Sequence, residues 1–184
     1  MPKLLKEDSL IKKILIYLGE TSKELLNLGA TIIFEPHRFI KWGPVDLGYS
    51  QPLIQKKISY LKKSKYFTFK NNKFYLTPWG RVELIKTVIR KRKDKKFEWD
   101  GKWRGVIFDI PELSRKDRNF LRRELKWMGF VELQKSVWVV PYDIEKELKT
   151  LLKLWEMDFR GDIRFLIIDN IEKDGDLKEY FNLT

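Results

Sequence analysis

An apolar run from Trp103 to Ile110 reaches a carboxylate, Asp109, and a segment studded with arginine follows it. A carboxylate in that position could hold Mg²⁺ and place an activated water in line with a scissile phosphate. Glu112 and Asp117 are close in sequence, but Asp117 has a competing use in capping a helix. No acidic pair has an obvious metal-ligand spacing, and the single histidine, His37, leaves no local general base. The absence of cysteine removes disulfides and thiolate zinc sites. Asp109 is therefore the candidate metal-binding or catalytic residue of a divalent-metal-dependent endonuclease. The competing reading gives it a structural role, capping a turn or pairing with Arg104 or Arg115. That reading is preferred, so no catalytic residue is favoured and no cofactor is expected unless Mg²⁺ serves a nuclease.

The charge is distributed unevenly. Residues 1–98 hold 22 Lys/Arg against 9 Asp/Glu, or +13, while residues 99–184 hold 16 against 17, or −1. A basic half beside a neutral one suggests a polyanion-binding module joined to a second element, and nucleic acid is the favoured polyanion. The charged N-terminus lacks the apolar core of a signal peptide, and "LLNLGATIIF" is too short to span a bilayer. A soluble cytoplasmic protein without membrane partners is expected.

The elements that would present this charge follow from periodicity. Leu10, Ile11, Ile14, Leu15 and Leu18 share one helical face, with Ser9 as N-cap. "TSKELLNLG" reads as a second helix capped by Thr21 or Ser22, and residues 30–49 give no clear element. From Ser50, an apolar stripe of Ile54, Ile58 and Leu61 marks another helix. Its opposite arc carries Gln55, Lys56, Ser59, Lys62 and Lys63, with Lys57 alongside, all able to approach phosphates or base edges. "KYFTFKNNKFYLT" then reads as a hairpin around Asn71-Asn72, flanked by Lys70 and Lys73. Helix then hairpin is the order of a winged helix-turn-helix: recognition helix, then wing. Thr77 and Pro78 open a further helix, which ends in a basic run that includes Arg90 and Arg92. That run is either a solvated linker or an additional phosphate contact.

In the second half, "WRGVIFDI" is a strand ended by Pro111. Ser114 to Asp117 suggests a capping box for an Arg-rich amphipathic helix that stops at Gly129. "FVELQ" and "SVWVV" read as strands meeting at a turn or bulge, followed by a helix and the strand "DIRFLIID". The order βαββαβ is a ferredoxin-like plait. Its strands are apolar at most successive positions, so both sheet faces need cover. A second copy is the simplest cover and the first-half domain the competing one, with Gln134, Ser136 and Trp138 as candidate dimer-interface residues and the core as the alternative place for Trp138.

The same residues resemble a known family. Asp109, the Arg-rich helix, Gly129 and the run Gln134, Ser136, Val137, Trp138 are similar to the central, Cas2-like segment of PaaX-like transcriptional repressors. "FYLTPWGRVEL" resembles the wing and following helix of their N-terminal domains. The resemblance implies an α+β chain: a winged-helix DNA-binding domain (1–92), a basic linker (93–99), a dimerising Cas2-like plait (100–172) and a tail (173–184). It also implies a homodimeric repressor on duplex DNA, with the family's C-terminal helical region apparently lacking. The alternative is a Cas2-like nuclease, or a structural subunit of the kind used in CRISPR adaptation. Any effector ligand, the operator and the target genes are unspecified by the sequence.

Overall fold

The computed structural model describes residues 9–21, 33–34, 51–93, 97–155 and 160–183. The helix expected at "TSKELLNLG", most of residues 30–49, and His37 fall outside them. Contacts divide the chain into two compact units, Met1–Ile85 and Lys86–Thr184.

The first unit contains α1 (Leu10–Thr21), β1 (Ile33–Phe34), α2 (Gln51–Lys62), β2 (Phe67–Lys70), β3 (Lys73–Leu76) and the start of α3 (Pro78–Lys93). Ser9 caps α1 by accepting a hydrogen bond from the Lys12 amide at 3.2 Å. Ile11, Ile14, Leu15 and Leu18 of α1 are buried, as the apolar stripe predicts, and Leu61 and Phe74 are buried too. Strands β2 and β3 pair antiparallel in register Lys70↔Lys73. β1 adds to the far side of β3, giving the order β1-β3-β2.

Asn71 and Asn72 connect β2 and β3 with φ of 49° and 58°. Two successive positive φ angles define a type I′ turn, whose twist matches that of the strands. The side chains matter here because β-branched residues adopt this region only with strain. Asn72→Val is expected to destabilise the unit by about 1–2 kcal/mol, while Asn72→Gly is neutral or stabilising. Urea unfolding curves of both variants check this.

Thr77 joins the hairpin to α3. Its hydroxyl donates to the Lys65 carbonyl at 2.6 Å and accepts from the Gly80 amide at 3.1 Å. Gly80 is needed for space, since a Cβ there would lie 2.3 Å from the Tyr66 carbonyl oxygen.

The second unit begins within α3 and continues with β4 (Trp103–Asp109), a 3₁₀ turn (Glu112–Ser114), α4 (Arg115–Met128), β5 (Val131–Gln134), β6 (Val137–Val140), α5 (Glu145–Trp155), β7 (Asp162–Ile168) and α6 (Gly175–Phe181). The sheet order is β5-β6-β4-β7, antiparallel throughout, with an irregularity between Glu132 and Gln134. This is the βαββαβ plait that the sequence predicts. Arg122 of α4 lies over Phe108, and Lys149 of α5 over Phe165, so the helices cover the sheet face carrying Val106, Phe108 and Phe165. Leu121, Leu125, Leu148 and Leu151 fill the core.

Three details differ from the sequence reading. The Ser114 side chain makes no cap hydrogen bond. The preceding 3₁₀ turn ties its amide to the Pro111 carbonyl at 2.8 Å, and holds it at φ −102°, ψ 32° rather than in the extended conformation of a capping residue. The division between units falls at Ile85–Lys86, not near residue 92. The end of α3 belongs to the second unit because Lys86 pairs with Glu124, Arg90 donates to the Trp127 carbonyl, and Arg92 pairs with Glu147 at 3.1 Å. Finally, residues assigned to a tail form α6, whose Phe181 packs on Trp103 and Tyr142 with ring centroids 5.9 and 5.8 Å away. No helix among the described residues is long and apolar enough to cross a membrane.

Candidate nucleic-acid interface

Helix α2 is lopsided. Leu61 faces inward at 2 % exposure, whereas Gln55, Lys56, Ser59, Lys62 and Lys63 are all exposed. The predicted polar arc is therefore a continuous surface; the Lys57 side chain lies outside the described residues. The hairpin follows after a four-residue connection of turn structure, and Lys70 at its tip is exposed while Lys73 is half-buried.

One contact fastens helix to hairpin. The Lys62 ammonium sits 4.0 Å from the centroid of the Phe69 ring on β2. Phe69 in turn packs against Phe74 on β3 at 4.9 Å. An ammonium over an aromatic face is attracted by the ring quadrupole, and its alkyl stem covers apolar surface. The arrangement sets one edge of the lysine face of α2 beside the basic hairpin. Chemically it offers ammonium groups for phosphates, together with an amide and a hydroxyl able to bond base edges.

Arg90 and Arg92, the candidate extension of this surface, are engaged within the second unit. Arg90 lies over the Trp127 ring at 5.1 Å and bonds that residue's carbonyl, and Arg92 is held by Glu147. Both have partners within the second unit. Sequence reading also passed over Tyr60, the most exposed aromatic among the described residues at 60 %. The signal was its placement four residues after Lys56 and three before Lys63, on the outward side of the same helix.

Asp109 is exposed at the end of β4, directly across from Asp162 of β7. Asp162 is engaged by Arg164, with the Nε to carboxylate distance 2.6 Å. Glu112 is likewise taken by Arg118 at 2.6 Å, and that guanidinium holds its carboxyl below the usual range. Arg104 does not pair with Asp109. It forms a two-pronged contact with Asp100 at 2.6 and 2.7 Å, which lowers the Asp100 carboxyl and raises the guanidinium. Among the described residues, no group of three or more His, Cys, Asp or Glu side chains could hold a metal ion. What the geometry offers there is one carboxylate beside another already paired with arginine.

The three candidate interface residues separate. Gln134 is exposed and Ser136 half-buried, in and beside the β5–β6 turn. Arg122 fastens that turn, donating to the Lys135 carbonyl at 3.0 and 2.7 Å. Trp138 is only 4 % exposed and registers with Val106 on the helix-covered face. It is core, because side-chain alternation sends it under the helices rather than onto the open face.

Residues 96–174 match the family described as the PaaX protein central Cas2-like domain. No curated protein and no solved structure matches the chain. The matched segment takes in β4 through β7, with both intervening helices. Within the second unit, residues 96–174 are thus similar to the central, Cas2-like domain of the PaaX proteins.

Proposed function

We propose that this protein is a transcriptional regulator that binds duplex DNA as a homodimer, with residues of the first unit acting as a winged helix. The observation that carries the reading is the exposed Lys/Gln/Ser face of α2, fastened through Lys62 and Phe69 to a basic type I′ hairpin. On this reading α2 enters the major groove and the hairpin meets the phosphate backbone. The central domain's family supports a regulatory role.

A second copy is supported by the sheet of the second unit. Alternation places Ile107, Val137, Leu166 and Ile168 on the face away from α4 and α5, and all four remain half-exposed. Trp103 on that face is already covered by Trp99 and Phe181. A homodimer closing over the remaining apolar residues would set two winged helices on two half-sites related by a twofold axis.

Specificity is assigned to Gln55 and Ser59, and general affinity to the lysines. In a selection from randomised duplexes, Gln55→Ala is expected to relax preference at one position per half-site, at a cost of about 1–3 kcal/mol on the preferred sequence. Unchanged discrimination across the library would remove Gln55 from base readout. The second reading, a metal-dependent nuclease, rests on exposed Asp109 facing Asp162. It requires divalent-dependent cleavage that Asp109→Asn abolishes.

A further inference from the structure

The polar arc of α2 has two edges, and only one of them is explained by the hairpin. At about 100° per residue, Ser59 lies near the middle of the arc, with Lys62 at one edge and Gln55 roughly 20° from it. Tyr60 lies at the other, roughly 160° around from Lys62. Lys62 is held over Phe69. The Tyr60 side chain, 60 % exposed, makes no hydrogen bond or ring contact among the described residues. It belongs to a ridge of Leu53, Lys56 and Tyr60 that Lys63 continues one residue past the end of the helix, spaced by three, four and three residues and exposed throughout. Such spacing aligns side chains along one line of a helix.

A line that alternates apolar and cationic groups suits a sugar–phosphate strand, whose surface alternates deoxyribose and phosphate. Position on the helix separates it from base readout. With Ser59 at the groove floor and Gln55 between it and Lys62, an edge residue such as Tyr60 meets the groove wall. Lys62 and the hairpin occupy one wall, so the opposite wall is left to the ridge.

We propose that Tyr60 is a DNA-backbone contact on the groove wall opposite the hairpin. Its ring packs on a deoxyribose, and its hydroxyl donates to a phosphate between the phosphates met by Lys56 and Lys63. The assignment rests on the reading of α2 as the element that enters the groove. It adds a neutral aromatic to the contacts that sequence inspection offered.

Neutrality supplies the test. A lysine that meets a phosphate releases counterions, so its removal flattens the dependence of log affinity on log salt by about 0.9. A tyrosine hydroxyl releases none. Binding of a labelled random-sequence duplex to the full chain would be measured by fluorescence anisotropy over a salt series for wild type, Tyr60→Phe, Tyr60→Ala and Lys56→Ala. Tyr60→Phe is expected to weaken binding about threefold and Tyr60→Ala about tenfold, both with the wild-type salt slope. Lys56→Ala should weaken binding and flatten the slope. Wild-type affinity in both Tyr60 variants, with Lys56→Ala weakened, would overturn the Tyr60 contact and leave the groove reading standing. A change of sequence preference in Tyr60→Ala would also overturn it, by moving Tyr60 to the bases. If wild type itself fails to bind duplex, the reading of α2 falls, and this contact falls with it.

Discussion

Glu124→Ala is expected to destabilise the second unit by about 3–5 kcal/mol, the cost typical of breaking a buried ion pair by removing one partner. Lys86 and Glu124 are each only 2 % exposed, on α3 and α4, and form a direct ion pair. The Lys86 ammonium also lies 5.2 Å from the Trp127 ring. Removing the carboxylate takes a direct ion partner from an ammonium with little access to water. Desolvation, rather than the missing attraction, supplies most of the penalty. The double variant Lys86→Met/Glu124→Leu removes both charges and keeps comparable volume, so it should be near neutral or more stable than wild type. Urea unfolding followed by tryptophan fluorescence reads both. Equal destabilisation in the single and double variants would show that packing, not charge, governs the site. The same pair locates the unit's physical start, because a chain begun after Lys93 would leave Glu124 without Lys86.

The second large effect concerns affinity. Replacing Lys62, Lys63 and Lys70 together by methionine should weaken duplex binding by about two orders of magnitude at physiological salt. The slope of log affinity against log salt should fall by roughly 2.7, about 0.9 for each phosphate no longer neutralised. Methionine keeps an apolar stem at position 62 to cover Phe69, so the weakening reports charge rather than a loosened hairpin. Anisotropy titrations over a salt series measure both quantities. Weaker binding at an unchanged slope would mean that these lysines do not meet phosphates.

The features legible in the sequence were those written in local pattern. The stripe of α1, the Asn71-Asn72 turn, Thr77 with Pro78, Gly129 and the order of strands and helices in the plait are all short-range signals, and the structure has them. Gly129, for example, adopts φ 98° where the helix must stop. What sequence reading could not supply was long-range pairing. Nothing near Arg90, Arg92 or Lys86 announces Trp127, Glu147 or Glu124, so a helix end that packs into the plait read as a solvated linker or a phosphate contact. Glu124 carries a faint signal, since it falls within the apolar stripe of Leu121, Leu125 and Met128. Phe181 read as part of a tail because its partners, Trp103 and Tyr142, are distant in sequence. Trp138 read both as core and as a candidate interface residue because strands apolar on both faces do not reveal which face lies under the helices. Pairing with Val106 decides that. Of the candidate interface, the lysine face was legible from periodicity, whereas the aromatic at its edge was not, because a search for phosphate contacts by charge skips a neutral side chain.

The most direct test of DNA binding without cleavage uses the purified full chain and a pool of end-labelled genomic duplex fragments, incubated with Mg²⁺ or with EDTA and run on native and denaturing gels. A DNA-binding regulator leaves the fragments intact in both conditions, with a discrete subset shifted in each and the shift abolished in the triple lysine variant. Mg²⁺-dependent shortening of the fragments, absent in Asp109→Asn, would contradict that reading and make the end of β4 a catalytic site.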